Sequence, residues 1–341
     1  MTDRTTVIDS KNDCPKPGGA DACLETASTI AVLIPCYNEA ITIAKVIDDF
    51  KRVLPSAAIY VYDNNSTDGT ADIARAHGAL VKGEPRQGKG NVVRQMLRDI
   101  DADYYLMVDG DDTYPAEAAL EMLAPLIEDR ADMVVGDRIS SGAYEKENSR
   151  AFHGFGNTLV CTLIKAIYGF KFSDVMTGYR AFNRIFAKTM PMLSHAFEIE
   201  TELSIHAVDK RWRIVEVPIK YRDRPEGSLS KLNTVSDGIR VLLTIASLFK
   251  DYRPLVLFTL VAALFVILGF VAGVPVVVEF VQTGLVPRLP TALLAVALVF
   301  IGLLSLSCGF ILDTVVKGYR KEYELDVIRT YKEIRKEKAD C

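Results

Sequence analysis

Three carboxylates fall within four positions at Asp109-Gly110-Asp111-Asp112, with Thr113, Tyr114 and Pro115 behind them. An apolar run, residues 104–108, leads into them and reads as a buried strand. Asp and Gly are poor strand residues, so the carboxylates belong to the loop beyond the strand's C-terminal end. Carboxylates this close repel one another unless a cation sits among them. Asp109 and Asp111, two apart and able to converge once the chain turns, suit a hard divalent cation that keeps water and a substrate phosphate as its other ligands. The same residues also suit an ordinary acidic surface turn.

Comparable polar clusters close other apolar runs. Residues 30–34 end at Pro35-Cys36-Tyr37-Asn38-Glu39, residues 58–62 at Asp63-Asn64-Asn65-Ser66-Thr67-Asp68-Gly69-Thr70, residues 79–82 lead to Arg86-Gln87-Gly88-Lys89-Gly90, and residues 133–135 end at Gly136-Asp137-Arg138. Helical segments follow, over 40–54, to His77, to Ile100 and over 116–127. Alternating strand and helix with short connections predicts a mostly parallel sheet covered by helices on both faces. All such strands end at one edge, so the clusters should form one site. Asp63 suits hydrogen bonds from a ribose or base, or simple turn chemistry. Gly88 and Gly90 let backbone approach an anion beside Lys89, and Arg86 adds a fork-shaped donor. The loop is too short, and too unlike the usual fingerprints, for an ATPase P-loop or a dinucleotide fold. A metal, a nucleoside pocket and cations on one edge together suggest a nucleoside diphosphate whose leaving charge is neutralised.

Hydrophobicity is unevenly distributed along the 341 residues. Segments 255–278 and 291–312 hold no charged residue, and each reaches the ~20 residues a helix needs to cross a bilayer. Lys and Arg cluster before the first and after the second: Arg240, Lys250 and Arg253, then Lys317, Arg320, Lys321, Arg329, Lys332, Arg335, Lys336 and Lys338. Positive residues stay cytoplasmic, which predicts a multi-pass hairpin of two spans with both ends and the large domain inside. Val235, Ile239, Leu242, Leu243, Ala246 and Phe249 recur at helical spacing, an amphipathic helix for the membrane interface or the domain surface. The expected organisation is a polar, disordered tail over 1–28, a domain over 29–232, the amphipathic helix over 233–253, two membrane helices over 254–316 and a basic tail over 317–341.

Composition narrows the classes further. The net charge of −4 gives no reason to expect nucleic acid as a partner. Six scattered cysteines without CxxC or a Cys/His cluster fit reduced thiols better than a disulfide framework or a zinc site. The N-terminus has no basic start followed by an apolar core, so no secretory signal is expected.

Ile34-Pro35-Cys36-Tyr37-Asn38-Glu39, the 63–70 turn, Gly88-Lys89-Gly90 and Asp109-Gly110-Asp111, in that order, resemble the family 2 glycosyltransferases of GT-A fold over about residues 29–232. Gly136-Asp137-Arg138, residues 174–182 (Asp-Val-Met-Thr-Gly-Tyr-Arg-Ala-Phe), residues 224–232 (Arg-Pro-Glu-Gly-Ser-Leu-Ser-Lys-Leu) and the membrane hairpin are most similar to the polyprenyl-phosphate glycosyltransferases, the dolichol-phosphate-mannose-synthase-like branch. The resemblance implies an α/β, Rossmann-like GT-A domain and a metal-dependent hexosyltransferase. Pro35, Tyr37, Glu39, Asp63, Lys89 and Asp109 would hold a UDP- or GDP-sugar, and Asp109 and Asp111 would bind Mg²⁺ or Mn²⁺. Arg138, Arg150, Arg224, Ser230 and Lys231 would gather an acceptor phosphate, with Asp109, Asp111 and Arg138 as the catalytic set. It also implies a lipid-bilayer setting and a possible homo-oligomer.

Two departures stand out. The branch often has Gln two residues after the second motif Asp, where this chain has Thr113; the 224–231 stretch is one residue longer than usual, so Ser228 and Ser230 compete for one role. A phosphate acceptor is ionised at neutral pH and needs no strong base, whereas a hydroxyl acceptor does. Glu198, Glu200 and Glu202 are candidates for such a base, or first-turn helix residues favoured by the dipole. Arg150 fits an ordinary surface arginine equally well. Arg180 could contact the acceptor or buttress its strand, and His206 and Trp212 read as packing residues. The expected reaction is inverting transfer of one sugar to polyprenyl phosphate. A glycan-elongating enzyme with a hydroxyl acceptor is the first alternative, although Val208 stands where the polymer synthases' Gln-x-x-Arg-Trp motif has Gln. A non-catalytic scaffold is the second, against which the paired carboxylates speak.

Overall fold

A computed structural model describes residues 29–140, 151–194, 198–222, 224–225, 250 and 252–340. The tail over 1–28, the amphipathic segment over 233–249, and Arg150, Ser228, Ser230 and Lys231 lie outside the described residues.

In chain order the elements are β1 (Ile30–Cys36), α1 (Ile43–Val53), β2 (Ala58–Asp63), α2 (Thr70–Ala76), β3 (Leu80–Gly83), α3 (Lys89–Asp99), β4 (Tyr104–Met107), a 3₁₀ turn (Ala116–Ala118) and α4 (Ala119–Ile127). There follow β5 (Met133–Asp137), α5 (Ala151–Tyr168), β6 (Arg180–Asn183), α6 (Arg184–Thr189), α7 (Ile199–Asp209), β7 (Ile214–Pro218), α8 (Pro254–Thr283) and α9 (Leu289–Asp340). The strands form one sheet in the order β3-β2-β1-β4-β6-β5-β7. Only β6 runs against its neighbours β4 and β5; the other pairings are parallel. The α/β, mostly parallel architecture read from the sequence is therefore present, and β6 is the strand that its pattern did not set apart.

Both faces of the sheet are buried, which is why the central strands read as continuous apolar runs. Alternate residues serve opposite layers. Val32, Ile34 and Leu106 pack with α1 and α4, through Ile43, Ile47, Phe50, Met122 and Leu123. Ala31, Leu33, Tyr105 and Met107 face the layer of α3, α5, α6 and α7, through Val93, Met96, Val160, Phe186 and Leu203. Register brings Cys36 level with Asp63, and Asp63 level with Gly83, so the C-terminal ends of β1, β2 and β3 lie side by side.

The two long helices pack on each other at small residues. A Cβ on Gly269 would stand 2.7 Å from Val299 Cγ2, and one on Gly302 2.8 Å from Val266 Cγ2. Their outer surfaces are apolar and exposed: Leu260 by 63%, Phe270 by 62% and Val281 by 77%. Buried core helices have no such surface, and leaving it in water would cost ~1.5–3 kcal/mol per large side chain. Both helices are long and apolar enough to cross a membrane. No break separates a second span from a tail, because α9 continues as one helix to Asp340.

Candidate active site

The site is built where the strand ends meet. Asn38, after β1, takes a left-handed φ of 53° and Asn65, after β2, one of 65°. Asn is among the few residues that tolerate this region. Asn38 joins the two loops through both backbone and side chain: Asn38 N donates to Ser66 Oγ at 2.8 Å and Thr67 N to Asn38 Oδ1 at 2.8 Å. Glu39 N donates to Thr70 Oγ1 at 2.9 Å, and Ala40 N to Asp68 Oδ2 at 3.0 Å. These turns consume residues 39–42, which is why α1 begins at Ile43 rather than at Ala40 as the apolar spacing predicts. Thr42 Oγ1 donates to Gly110 O at 2.6 Å and ties this pair of loops to the acidic one.

Asp63 ends β2 with Oδ2 accepting from Ser66 N at 3.1 Å. Its Oδ1 is buried and has no hydrogen-bond partner among the described residues. A buried acceptor in that state suits a donor from a ligand or an ordered water. Asn64 staples the next loop, donating to Glu84 O at 2.8 Å and Arg86 O at 2.9 Å while Gly88 N donates to its Oδ1 at 2.7 Å. Arg86 does not offer its fork to an anion, as the sequence suggests. The fork closes on Glu84 at 2.8 and 3.1 Å, because the turn folds the two side chains together.

Lys89 opens α3 and points inward. Its ammonium lies 2.5 Å from Asp109 Oδ1 and 2.6 Å from Glu200 Oε1. Burial alone would lower the lysine's pKa, but the two carboxylates outweigh it and raise it well above the usual range. Gly178 closes over this trio: a Cβ there would meet Asp109 Oδ2 at 2.5 Å and Lys89 Nζ at 2.9 Å. Glu200 is thus a site residue that the sequence left undecided. It sits in the first turn of α7, as the dipole reading has it, and is also buried against Lys89.

Asp111 is buried at 4% exposure, with Thr113 Oγ1 donating to its Oδ1 at 2.6 Å and Arg224 to its Oδ2 at 2.5 Å. Burial and the neighbouring Asp109 push its carboxyl pKa up, against the pull of Arg224 and Thr113. Asp112 takes a φ of 59° and turns outward to Lys45 at 2.7 Å. Asp109 and Asp111 are near enough to influence each other's charge, while Asp112 pairs with Lys45. Among the described residues no three acidic, His or Cys side chains gather as a ready-made metal cage. Two hard carboxylates on one loop fit a divalent ion that takes its remaining ligands from water and a diphosphate. Thr113, standing where the branch often has Gln, turns its hydroxyl to Asp111.

Arg138 follows β5 and clamps Asp174 through Nε at 2.6 Å and an outer nitrogen at 3.0 Å. Its guanidinium lies over the Tyr221 ring at 5.4 Å, and Tyr221 packs edge-on to Tyr114 at 5.5 Å. Arg138 and Arg224 so flank the acidic loop through Tyr114 and Asp111. Arg180 resolves to the buttress. It is fully buried and donates to Thr177 O at 3.1 Å, Val175 O at 2.6 Å and Ser204 Oγ at 2.9 Å, holding the 174–178 loop from below. Burial lowers its pKa to about 10. Pro35 is buried at the end of β1, and Tyr37, exposed by 39%, stands at the rim.

Comparison with known proteins gives the family and the fold. Residues 31–190 match the family described as glycosyl transferase family 2. Glycosyltransferase AglJ of Haloferax volcanii is 34% identical over 88% of this chain and 97% of its own length. The dolichyl-phosphate hexose transferase of the same organism is 32% identical over 67% of this chain and 97% of its own. Among solved structures, glucosyl-3-phosphoglycerate synthase from Mycobacterium tuberculosis, in complex with Mn²⁺, UDP and phosphoglyceric acid, superposes with a TM-score of 0.54 at 22% identity, covering 70% of this chain and 84% of that one. That likeness concerns the fold. With the strand-end site, the acidic pair and a relative matched over nearly the whole chain, this protein belongs to glycosyltransferase family 2 and is similar to its dolichol-phosphate-mannose-synthase-like members.

Proposed function

We propose that this enzyme transfers a single hexose, with inversion, from a UDP- or GDP-sugar to polyprenyl phosphate at the cytoplasmic face of a membrane. The observation that carries the reading is the meeting of Asp109, Asp111, Lys89 and Arg224 on one sheet edge of a domain bound to an apolar two-helix hairpin. A lipid acceptor explains why such a domain carries the hairpin. The dolichyl-phosphate relative and the Mn²⁺- and UDP-binding neighbour support the substrate classes.

The chain's own residues supply most of the chemistry. Asp63 Oδ1 would offer an acceptor to the nucleoside, with Tyr37 and Glu39 on the loop after the neighbouring strand β1. Asp109 and Asp111 would hold Mg²⁺ or Mn²⁺, which supplies charge to stabilise the departing diphosphate. Arg138 and Arg224, paired here with Asp174 and Asp111, would turn to the acceptor phosphate, whose oxygens their forks match. One ionised phosphate oxygen attacks the anomeric carbon, and its lone pair forms the new C–O bond. The old bond to the donor's β-phosphate oxygen breaks, its electron pair leaving with the nucleoside diphosphate, and the configuration inverts. No proton has to be removed from the acceptor.

A second reading, transfer to a sugar hydroxyl, is favoured by one observation: the Glu200 carboxylate lies in the site, where a base would be needed. Its short contact with the Lys89 ammonium speaks for a structural charge instead. The test uses membranes containing the full-length protein, a divalent metal, polyprenyl phosphate and a panel of labelled UDP- and GDP-sugars. Expected is label in the organic phase from one donor, dependent on added lipid phosphate, released by mild acid, and reduced at least about 100-fold by Asp109→Asn. Label that follows an added glycan instead would overturn the polyprenyl reading.

A further inference from the structure

The helix α9 does not leave the molecule after its apolar part. Its polar half turns Tyr323 into a notch on the catalytic domain, formed by α6, α7 and the turn before β7. The Tyr323 hydroxyl lies 3.0 Å from Trp212 Nε1, 3.1 Å from His206 Nε2 and 3.3 Å from Thr189 Oγ1. Trp212 Nε1 can only donate. Thr189 Oγ1 already donates to Ile185 O at 2.8 Å. The assignment that satisfies every group has Trp212 and His206 donating to the Tyr323 oxygen, and Tyr323 donating to Thr189.

Charge closes the notch. Arg320, one turn earlier, grips the buried Asp209 and donates to Tyr252 O at 3.1 Å, just ahead of the first apolar helix. Lys210 stands over the Tyr323 ring at 5.0 Å, and Glu337 pairs with Arg184 on α6 at 2.6 Å. The helix α7 that bears His206 and Asp209 at this end bears Glu200, the partner of Lys89, at the other. Basic residues alone would suit a free tail beside anionic lipid; the matched aromatic and ionic contacts indicate a seat.

We propose that the polar half of α9 is a strut that seats the catalytic domain on its membrane hairpin, with Tyr323 as the positioning residue. The strut holds the strand-end site at one height and angle to the bilayer, so that a phosphate anchored in the membrane meets it. The proposal rests on the lipid-acceptor reading above. Its function is geometric: a seated domain presents its site at a high effective concentration of membrane-bound acceptor, and an unseated one does not.

Trp212, the chain's sole tryptophan, is a built-in reporter of the seat. The experiment uses the full-length protein in lipid nanodiscs, as wild type, Tyr323→Ala, Tyr323→Phe and Arg320→Ala. Three quantities are read: Trp212 emission with acrylamide quenching, donor affinity, and transfer to a long-chain polyprenyl phosphate in the disc against a short, water-soluble prenyl phosphate. In Tyr323→Ala and Arg320→Ala we expect red-shifted, more quenchable emission, unchanged donor affinity, and an apparent KM for the disc-bound acceptor raised about tenfold with the soluble acceptor unaffected. Tyr323→Phe, which keeps the ring and loses the hydroxyl, should fall between. Unchanged Trp212 emission in both truncations overturns the seat. A shifted emission with equal losses on both acceptors overturns the geometric role. Absence of transfer to either acceptor by the wild type sinks the lipid-acceptor reading instead, while the quenching result still decides the seat.

Discussion

Glu200 and His206 lie on the same helix in different surroundings. Glu200 is buried but paired, 2.6 Å from Lys89. Glu200→Gln keeps an oxygen for that contact while removing any base. Transfer to a lipid phosphate should survive within about tenfold, whereas a hydroxyl acceptor would lose on the order of 10²–10⁴. Initial rates of the purified variant decide between them. His206 is buried among Phe186, Trp212 and Tyr323, and burial, with a smaller push from Lys210, lowers its pKa to about 3. The unfolded chain, with an ordinary histidine near 6.5, then binds more protons than the folded one between about pH 3 and 6.5. Stability from this group is full above pH 6.5 and falls as the pH drops, by at most about 1.4 kcal/mol per unit. Thermal melts from pH 7 to pH 5 should show a decline that His206→Gln flattens.

At the scale of elements, the site depends on loops that several strands and helices press together. The 174–178 loop is held from one side by Arg180, from another by Asn157 Oδ1 accepting from Val175 N at 3.1 Å, and from a third by Tyr114 Oη accepting from Gly178 N at 2.9 Å. Glu216 on β7 accepts from Ser173 N at 2.8 Å, and burial pushes its carboxyl pKa up. A fixed loop cannot retreat from an added methyl. Gly178→Ala should therefore displace Asp109 or Lys89 and cost about 1–3 kcal/mol of stability. Turnover should fall by more than this loss of stability explains. Melting temperature and kcat measured on the same preparation separate the two effects. Full turnover in the alanine variant would mean that the loop yields more easily than its contacts indicate.

At the scale of the whole molecule, the strut and the hairpin put a geometric constraint on topology. Arg320 reaches Tyr252 O and Asp209, so the chain leaves and re-enters the catalytic domain at one place. If the two apolar helices cross a bilayer, both ends lie on the same side and only the turn at Gly284 emerges on the other. In inverted and right-side-out vesicles, a cysteine placed at Gly284 should react with an impermeant maleimide from the face opposite to one placed at Tyr331. Cys308, the exposed thiol within the apolar part of α9, should stay unlabelled until the membrane is dissolved. The vesicle orientation in which the Tyr331 position reacts identifies the face on which the catalytic domain lies.

The amino-acid sequence by itself determined the alternation of strand and helix, the two apolar segments and the gathering of polar clusters at strand ends. Each of these follows from side-chain periodicity, turn residues or run length, which are local properties of the chain. The sequence also singled out Asp63, Lys89, Asp109, Asp111 and Arg138 as candidates by their place after apolar runs, although turn chemistry suited the same carboxylates. It did not set apart β6, a four-residue strand that runs antiparallel between β4 and β5 and is too short to reveal a periodicity. Nor could it tell that Arg86 would close on Glu84, that Arg180 would be a buried prop, or that Arg138 would clamp Asp174. Glu200 meets Lys89 across 111 positions, and Tyr323 meets Trp212 across the same separation. Such pairings are made only when the sheet and the hairpin close. Tertiary structure alone decided them, because the energy of a buried charge or hydroxyl depends on which distant group the fold brings within reach.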